Sequence, residues 1–298
     1  MKKIVTFLFL YLTVLLGYSQ GKFVLQNNKE SDKIKFKLIN NLIIIPVEIN
    51  GAELTFLLDS GVRKPIIFNL LNVTDSLAIN QTETIYIRGL GEGDPIEALR
   101  SKNNILRVGN AINIQQDLYA VFNDYLNFAP RLGIPVHGII GYDLFKDFIV
   151  EINYTNRYIK LHNPLTYVHK SCKSCETLNL EFNNNKPYLN AQVKIKDKIV
   201  PVKLLIDSGS SDALWLFEDE KQNIILGDKY FDEFLGHGLS GSVYGKRSKI
   251  KEIYINSFVL KKVNVAFPYH KSIVFANRNC TAGIFLFIAW LFFEVIIG

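Results

Sequence analysis

The sequence predicts an all-β protein made of two homologous halves, and three observations lead to this prediction. The 298 residues are 48% hydrophobic and 12% aromatic, which is enough to fill one large or two ordinary hydrophobic cores and is too apolar for a disordered or low-complexity chain. The apolar residues include many Ile, Val, Phe and Tyr but a single Met, a balance that favours strands over helices. Finally, one apolar segment that ends in Asp-Ser-Gly occurs twice in matched surroundings.

The first twenty residues have the pattern of a secretory signal peptide. Lys2 and Lys3 precede an unbroken apolar stretch at residues 4–16, which is followed by Gly-Tyr-Ser at 17–19. This pattern is typical of export and cleavage, so we expect residues 1–20 to be removed and the mature protein to be periplasmic or extracellular. The apolar stretch is shorter than the roughly 20 residues of a spanning helix, so an uncleaved anchor is the less favoured alternative.

Three cysteines are an odd number for an exported protein. Cys172 and Cys175 form a CxxC pair, and Cys280 lies near the C-terminus. A metal-binding or redox CxxC would need a second ligand pair or a strand-helix-strand context, and neither is visible in the sequence. We therefore interpret the pair as part of a loop and leave its disulfide state open.

The repeated segment indicates an internal duplication. Residues 54–61 (LTFLLDSG) and 202–209 (VKLLIDSG) are two copies of one pattern, 148 residues apart. Each copy is followed at a similar distance by a glycine-rich segment, 85–93 in the first half and 234–241 in the second. Because order and spacing are both preserved, the two halves are interpreted as homologous lobes.

The boundary between the lobes is placed at residues 163–175. There Pro, Ser, Lys and His replace the apolar alternation that precedes and follows, as is typical of a connection between domains. The predicted units are an N-terminal lobe at 21–165 and a C-terminal lobe at 166–298.

Asp59 and Asp207 are the candidate catalytic residues. Each follows an apolar strand and precedes a Ser-Gly pair, whose glycine lets the backbone turn tightly and approach another backbone. If the two loops meet, both carboxyls cannot be ionised, so the pair shares a proton. One carboxylate then deprotonates a water while the other carboxyl protonates a substrate carbonyl, which hydrolyses an amide. Ser60 and Ser208 either orient the loops through hydroxyl hydrogen bonds or only cap the turns.

With these motifs, the chain resembles the retropepsin-like and pepsin-like aspartic proteases, in the exported bacterial form that carries both lobes in one polypeptide. The resemblance spans nearly the whole mature chain and implies a bilobal fold of two homologous closed β-barrel lobes with pseudo-twofold symmetry. It implies that Asp59 and Asp207 are catalytic, and that the catalytic loops are supported by Ser60, Gly61, Ser208 and Gly209. The glycines implied in substrate-binding flaps are Gly89, Gly91, Gly93, Gly236 and Gly238.

Two positions depart from the family pattern. After the flap, the family has a strand of two hydrophobic residues and Gly, which residues 139–141 supply and residues 281–283 (TAG) match only weakly. The family also commonly has a small hydroxyl residue two places beyond the motif glycine. Ser211 fits this pattern, but the first lobe has Arg63 there, followed by Lys64. These cations either act on the carboxyl pair or substrate, or form a solvated basic turn.

The leading interpretation is an exported aspartic endopeptidase that binds an extended peptide or protein substrate in the cleft between its lobes. The alternative is a catalytically impaired peptide-binding module that keeps the protease fold. We expect a monomer without metal or cofactor, because the two carboxyls supply both an acid and a base. The formal net charge of +6 includes two signal-peptide lysines and is too dispersed to argue for a nucleic-acid partner.

Other chemistries are disfavoured by spacing. The glycine-rich segment at 85–93 is not followed by the helix of a dinucleotide site. The Gly-Leu-Ser-Gly at 238–241 lacks the spacing of a serine nucleophile elbow. The five histidines are scattered and form no zinc motif.

The C-terminal end of the second lobe is expected to be incomplete. Beyond Gly141 the first lobe continues for 22 residues to Asn163 through a strand, a turn and a return strand, whereas 15 residues follow Gly283. Those 15 residues are largely apolar and contain no turn signal. A truncated or altered end is favoured, with completion by a partner as one alternative and a membrane anchor at 281–297, despite Glu294, as another.

Overall fold

The computed structural model describes residues 21–68, 77–79, 81–122, 126, 128–170, 172, 173, 175–273, 283–286 and 294–297. The predicted signal peptide, Cys280 and residues 281 and 282 lie outside the described residues. The described chain is all-β, which confirms the predicted class. Its helical elements there are short: a 3₁₀ turn at Gln26–Asn28, α1 (Ala129–Leu132), α2 (Tyr142–Phe145) and α3 (His270–Ile273).

Strands account for most of the described elements. The first half contributes β1 (Val24–Leu25), β2 (Ser31–Lys35), β3 (Lys37–Ile39), β4 (Leu42–Ile49), β5 (Ala52–Leu58), β6 (Ile66–Ile67), β7 (Thr82–Ile87), β8 (Ile96–Val108), β9 (Ala111–Ala120), β10 (Gly138–Ile140), β11 (Ile149–Asn153) and β12 (Tyr158–His162). The second half contributes β13 (Glu181–Asn183), β14 (Lys186–Ile195), β15 (Lys198–Ile206), β16 (Phe231–Gly238), β17 (Gly241–Ile255), β18 (Phe258–Pro268), β19 (Gly283–Leu286) and β20 (Glu294–Ile297).

Nine strands of the first half form one sheet that returns on itself. Its path is β1-β9-β6-β10-β5-β4-β8-β7, with β3 beside β4, and a further pairing joins β8 to β9. The strands β9, β6, β10, β5, β4 and β8 therefore form a closed circuit of pairings. Strand β5 lies between antiparallel β4 and parallel β10, so the strand that leads to Asp59 is held on both sides.

The second half has an equivalent arrangement around β15. Seven strands follow the path β16-β17-β14-β15-β19, with β13 beside β14 and β18 beside β17. Like β5, β15 lies between an antiparallel partner, β14, and a parallel one, β19. At the place of β6 there is an isolated parallel bridge between Trp215 and Ala266. Among the described strands, this second path does not close.

The register of the two parallel pairs corrects one alignment made from the sequence. Ile140 pairs with the residue before Asp59, and Leu286 pairs with the residue before Asp207. Leu286 is therefore the counterpart of Ile140. Gly283 lies at the beginning of β19, whereas the motif glycine of the first half follows the end of β10. The expectation that Gly283 is the motif glycine of the second half is wrong.

Two equivalent hairpin turns are built by asparagine pairs. Asn40 and Asn41 join β3 to β4, and Asn184 and Asn185 join β13 to β14. All four residues have positive φ angles, between 49° and 66°. This is the conformation of a two-residue hairpin turn, and Asn tolerates it better than most residues do. The first residue after the turn is Leu in the first half and Lys in the second.

A separate four-stranded sheet brings together distant parts of the chain. Its order is β2-β12-β11-β20, and β20 pairs antiparallel with β11. The C-terminal region therefore contributes one described strand to this sheet and another, β19, to the sheet of the second half. Within the described ranges, the structure has no helix with the length and apolarity needed to cross a membrane.

Each half has its own hydrophobic core, which anchors the strand before the aspartate. Phe56 and Leu58 of β5 are fully buried in the first core. Leu204 and Ile206 of β15 occupy the equivalent positions in the second core. Side chains alternate in direction along a strand, so every second residue is fixed by packing. The aspartates that follow these strands consequently start from a rigid backbone.

Truncation of Phe56 tests the first core. Phe56 is 0% exposed, and its removal leaves a cavity, so Phe56→Ala should lower the free energy of unfolding by about 3–5 kcal/mol. Ile114 in the same sheet is 63% exposed, and Ile114→Ala should change it by less than about 0.5 kcal/mol. Urea denaturation followed by circular dichroism measures both variants. Equal losses would contradict this assignment of the core.

Candidate active site

The two Asp-Ser-Gly loops meet between the halves of the molecule. The carboxyl groups of Asp59 and Asp207 are hydrogen-bonded to each other. The N–H of Gly61 donates to Asp59 Oδ1 at 2.7 Å, and the N–H of Gly209 donates to Asp207 Oδ1 at 2.8 Å. The structure thus brings together the two aspartates and both motif glycines that the duplication singled out.

The motif glycines are needed because carboxyl groups occupy the space beside them. A Cβ atom on Gly209 would lie 2.4 Å from Cγ of Asp59, far inside van der Waals contact. A Cβ atom on Gly61 would lie 3.1 Å from Asp59 Oδ1 and 3.4 Å from Cγ of Asp207. Any side chain at position 209 would therefore displace the opposite aspartate.

Ser60 and Ser208 join the two loops by four reciprocal hydrogen bonds. Each hydroxyl accepts a hydrogen bond from the backbone N–H of the other serine, at 3.0 and 3.1 Å. Ser60 Oγ donates to the carbonyl of Ile206 at 2.8 Å, and Ser208 Oγ donates to the carbonyl of Leu58 at 2.9 Å. Both serines are buried. Of the two roles considered from the sequence, the hydroxyls orient the loops and do not merely cap their own turns.

Burial raises the pKa of both carboxyl groups. For Asp207, burial is the largest cause, and the charge of Asp59 together with the hydrogen bond to it raises the pKa further, well above the ordinary value. For Asp59, burial also raises the pKa, but the hydrogen bond from Asp207 opposes the rise. The two carboxyls therefore share one proton at a pH where isolated carboxyls would both be ionised.

Two hairpin tips contact each other across the halves, and they contain the predicted flap glycines. The N–H of Gly93 donates to the carbonyl of Ser240 at 2.7 Å, and the N–H of Ser240 donates to the carbonyl of Leu90 at 2.9 Å. These bonds need close backbone approach, since a Cβ atom on Gly238 would lie 2.1 Å from the oxygen of Leu90. Two of the other predicted flap glycines also contact Ser240: the N–H of Gly89 donates to Ser240 Oγ at 3.2 Å, and Gly91 lies against the Ser240 carbonyl. The last one, Gly236, has a φ of 149° and lies beside a β-bulge.

Each hairpin tip also places a leucine against the opposite half. Leu239 of the second half packs against a first-half cluster that contains Ile44 and Leu57. Leu90 of the first half packs against a second-half cluster that contains Trp215. The two tips therefore bridge the halves by apolar contacts as well as by hydrogen bonds.

A cavity of about 190 Å³ lies between the halves beside Asp207. Leu90 and Gly238 of the two hairpin tips also line it. Its other walls are mixed. The apolar side chains are Leu42, Phe128, Leu132, Trp215, Leu235 and Val243, and the polar or charged ones are Asn40, Arg131, Ser210, Ser211, Asp212 and His237. A larger groove of about 1430 Å³ runs along β17 and β18, but neither aspartate lines it.

Lys64 is engaged away from the two aspartates. Its Nζ donates to Asp143 Oδ2 at 3.0 Å, and this buried carboxylate also accepts from Gln116 at 2.7 Å. Arg63 is exposed to solvent. Lys64 is therefore not the cation of the carboxyl pair that the sequence suggested, because it ties its loop to α2 through an ion pair with the buried Asp143.

Cys172 and Cys175 are joined by a disulfide bond. They lie in the exposed segment that follows β12. The sequence left the disulfide state of this pair open, and the structure shows the two cysteines bonded to each other. In the described ranges, no group of three or more His, Cys, Asp or Glu side chains is placed to hold a metal ion.

One cation near the two aspartates was not predicted from the sequence. Against the effect of burial, the positive charge of Lys186 lowers the pKa of both Asp59 and Asp207. Leu42 was likewise not predicted to line a cavity beside Asp207. Both residues directly follow an Asn-Asn pair at the start of an apolar run. That repeated doublet is the signal from which the two positions could have been found.

No protein-family model matches the chain, and no curated protein matches it significantly. The geometry of the two loops and the motifs that they carry are therefore the observations that bear on function.

Removal of either serine hydroxyl should loosen the loops. In Ser60→Ala, the N–H of Ser208 and the carbonyl of Ile206 lose their partners in a buried place, and each such group costs about 1–3 kcal/mol. Ser60→Ala and Ser208→Ala should each lower the free energy of unfolding by at least about 2 kcal/mol. Ser60→Thr keeps the hydroxyl and is the control. Wild-type stability of both Ala variants in thermal unfolding would refute the role of these bonds.

The raised pKa of Asp207 predicts how stability depends on pH. The folded state holds this proton more tightly than the unfolded state does, so the group stabilises fully below its ordinary pKa of 3.8. That contribution is lost as the pH rises toward the raised folded pKa. Asp207→Asn removes one of the two coupled titrations and leaves that of Asp59, so the unfolding free energy of the wild type minus that of the variant should fall from about pH 3 to about pH 7. Urea denaturation across this range measures it, and parallel curves would contradict the raised pKa.

Proposed function

We propose that this protein is an aspartic endopeptidase that hydrolyses peptide bonds of an extended peptide. The observation that carries the proposal is the hydrogen-bonded pair Asp59 and Asp207, whose loops are held by reciprocal serine hydrogen bonds. Asp207 lines a cavity between the halves. A shared proton gives one acid and one base at the same place, as amide hydrolysis requires. The resemblance to retropepsin-like and pepsin-like aspartic proteases supports the same activity.

The fold that accompanies this function is bilobal, with a β-barrel lobe at 21–165 and another at 166–298. Two features support it. Six strands of the first half form a closed circuit of pairings, and β14, β15 and β19 pair in the second half as β4, β5 and β10 do in the first. A pseudo-twofold axis between the two aspartates explains why each aspartate follows the end of an equivalent strand, β5 or β15.

Asp59 is the base and Asp207 the acid of the proposed reaction. The Asp59 carboxylate takes a proton from a water held between the two carboxyls, and the water oxygen attacks the substrate carbonyl carbon. Asp207 gives its proton to the carbonyl oxygen, so the intermediate is a neutral diol. The proton on Asp59 then passes to the peptide nitrogen as the C–N bond breaks. Asp207 takes back a proton from the diol, which leaves a carboxylic acid, an amine and the starting pair.

The two hairpin tips serve as a cover that a substrate must displace. The bonds of Ser240 to Gly93 and Leu90 hold the tips together. When they open, the same backbone groups become available to the main chain of an extended peptide. Closure then excludes water other than the one that reacts.

In this proposal, the protein acts outside the cytoplasm on a peptide or protein substrate. A monomer suffices because one chain supplies both aspartates, and the steps above use no metal or cofactor. The alternative, a peptide-binding module, would keep the cleft without turnover.

Substitution of either aspartate should abolish hydrolysis. Asp59→Asn removes the base and Asp207→Asn removes the acid, so each should lower kcat/KM on an unfolded protein by at least about a hundredfold. The matched control is Asp197→Asn, an exposed aspartate paired with Lys251, which should keep full activity. Mass spectrometry of the products between about pH 3 and about pH 7 is the measurement, and activity should fall as the pH rises through the raised pKa of Asp207.

Cleavage that survives both substitutions would overturn the proposed function. The binding alternative is tested with a peptide analogue of the tetrahedral intermediate. An enzyme binds such an analogue at least about a hundredfold more tightly than the matching substrate peptide. Equal affinities, with no cleavage by the wild type, would favour the binding module.

A further inference from the structure

Lys186 and Leu42 occupy the same position in the two halves. Strands β4 and β5 pair antiparallel, and continuation of their register places Leu42 opposite Asp59. The same continuation of β14 and β15 places Lys186 opposite Asp207. Both residues directly follow an Asn-Asn turn with positive φ angles. The two backbones are therefore equivalent here, and only the side chain differs.

The contacts around Leu42 show which part of the molecule this position faces. Asn41 Nδ2 donates to the carbonyl of Ser211, in the opposite half, at 3.4 Å. Ser211 and Leu42 also line the same 190 Å³ cavity. The first-half position thus faces the loop that follows the second aspartate. By the equivalence of the halves, Lys186 faces the loop that follows the first aspartate, which contains the exposed Arg63.

The charge of Lys186 acts on the aspartates but is not matched by a salt bridge. Its ammonium is close enough for Coulomb interaction with both Asp59 and Asp207. Lys194, in the same strand, is paired with Glu252 at 3.3 Å, whereas no salt bridge joins Lys186 to a carboxylate among the described residues. Lys186 is half-buried. A partly desolvated cation that forms no salt bridge of its own among the described residues favours an anionic group on a ligand.

We propose that Lys186 forms a cationic subsite for an acidic side chain of the peptide, while Leu42 forms an apolar subsite at the equivalent place on the other side of the scissile bond. This proposal rests on the proposed function, because it names the substrate class of the same cleft. The preferred peptide has a Glu or Asp on one side of the scissile bond and an apolar residue on the other. Arg63 adds a second positive charge on the acidic side.

The first experiment measures binding, so that it does not depend on turnover. Peptides with a reduced, non-hydrolysable bond at the centre carry a single Glu or Gln, scanned through the positions on both sides. Fluorescence anisotropy gives their affinities for the mature protein. At one position the wild type should bind the Glu peptide about tenfold more tightly than the Gln peptide. Lys186→Leu should bring this ratio to about one, and Lys186→Arg should keep it.

The exchange variant Leu42→Lys/Lys186→Leu is the matched control. It should move the preferred position of Glu to the opposite side of the reduced bond. Thermal unfolding checks that each variant is folded. If Lys186→Leu does not fold, Lys186→Arg still tests whether the preference for Glu depends on a positive charge at this position. The hydrolysable forms of the same peptides should show the same Glu-to-Gln ratios in kcat/KM.

The outcomes separate this inference from the proposed function. If the wild type prefers Glu and the preference depends on Lys186, but no peptide is hydrolysed, the subsite stands and the proposed function fails. If hydrolysis requires both aspartates but the Glu-to-Gln ratio is the same in wild type and Lys186→Leu, the subsite is wrong and the function stands. If Lys186→Leu changes kcat/KM by the same factor for every peptide, Lys186 acts only on the aspartates. That result also overturns the subsite. Absence of binding to every peptide overturns both.

Discussion

The reciprocal hydrogen bonds between Ser60 and Ser208 are the constraint on which the site depends. Two buried carboxyl groups are costly to place side by side, because burial and mutual repulsion both disfavour their ionisation. Left alone, the loops would separate. Each serine hydroxyl prevents this by bonding to two backbone groups of the opposite loop. The two cores hold the strands that lead into these loops, so the energy of core packing offsets the cost of the carboxyl pair.

The two halves repeat one backbone arrangement around the aspartates but carry different side chains beside them. Burial raises the pKa of both carboxyls, and the charge of Asp59 raises that of Asp207 further. The walls of the cleft differ more strongly. The same register position carries Leu42 in one half and Lys186 in the other, on hairpins with matching Asn-Asn turns. The same backbone arrangement therefore carries two different side chains beside the two aspartates.

The sequence is informative where a short motif determines the local structure. The paired Asp-Ser-Gly segments indicated that Asp59 and Asp207 would meet, because their glycines allow the close approach, and the strand-rich composition gave the all-β class. Contacts that depend on distant segments were not visible. Lys64 binds Asp143, 79 residues away, and no local pattern distinguishes that partner from the nearby aspartate. The position of β19 was missed because register within an apolar run has no strong marker, and Gly283 was a misleading one.

For the proposed peptidase, the contact between the hairpin tips determines where substrate selectivity can arise. The tips join through backbone groups of Leu90, Gly93 and Ser240, and an extended peptide can replace such bonds with its own main-chain groups at little net cost. Main-chain bonds do not distinguish one sequence from another. In the proposed peptidase, discrimination must therefore come from side chains beside the aspartates, and Leu42 and Lys186 are unlike. With the proposed subsites, the direction of a bound peptide would also be fixed, because reversal would place an acidic side chain against Leu42 and leave Lys186 without one.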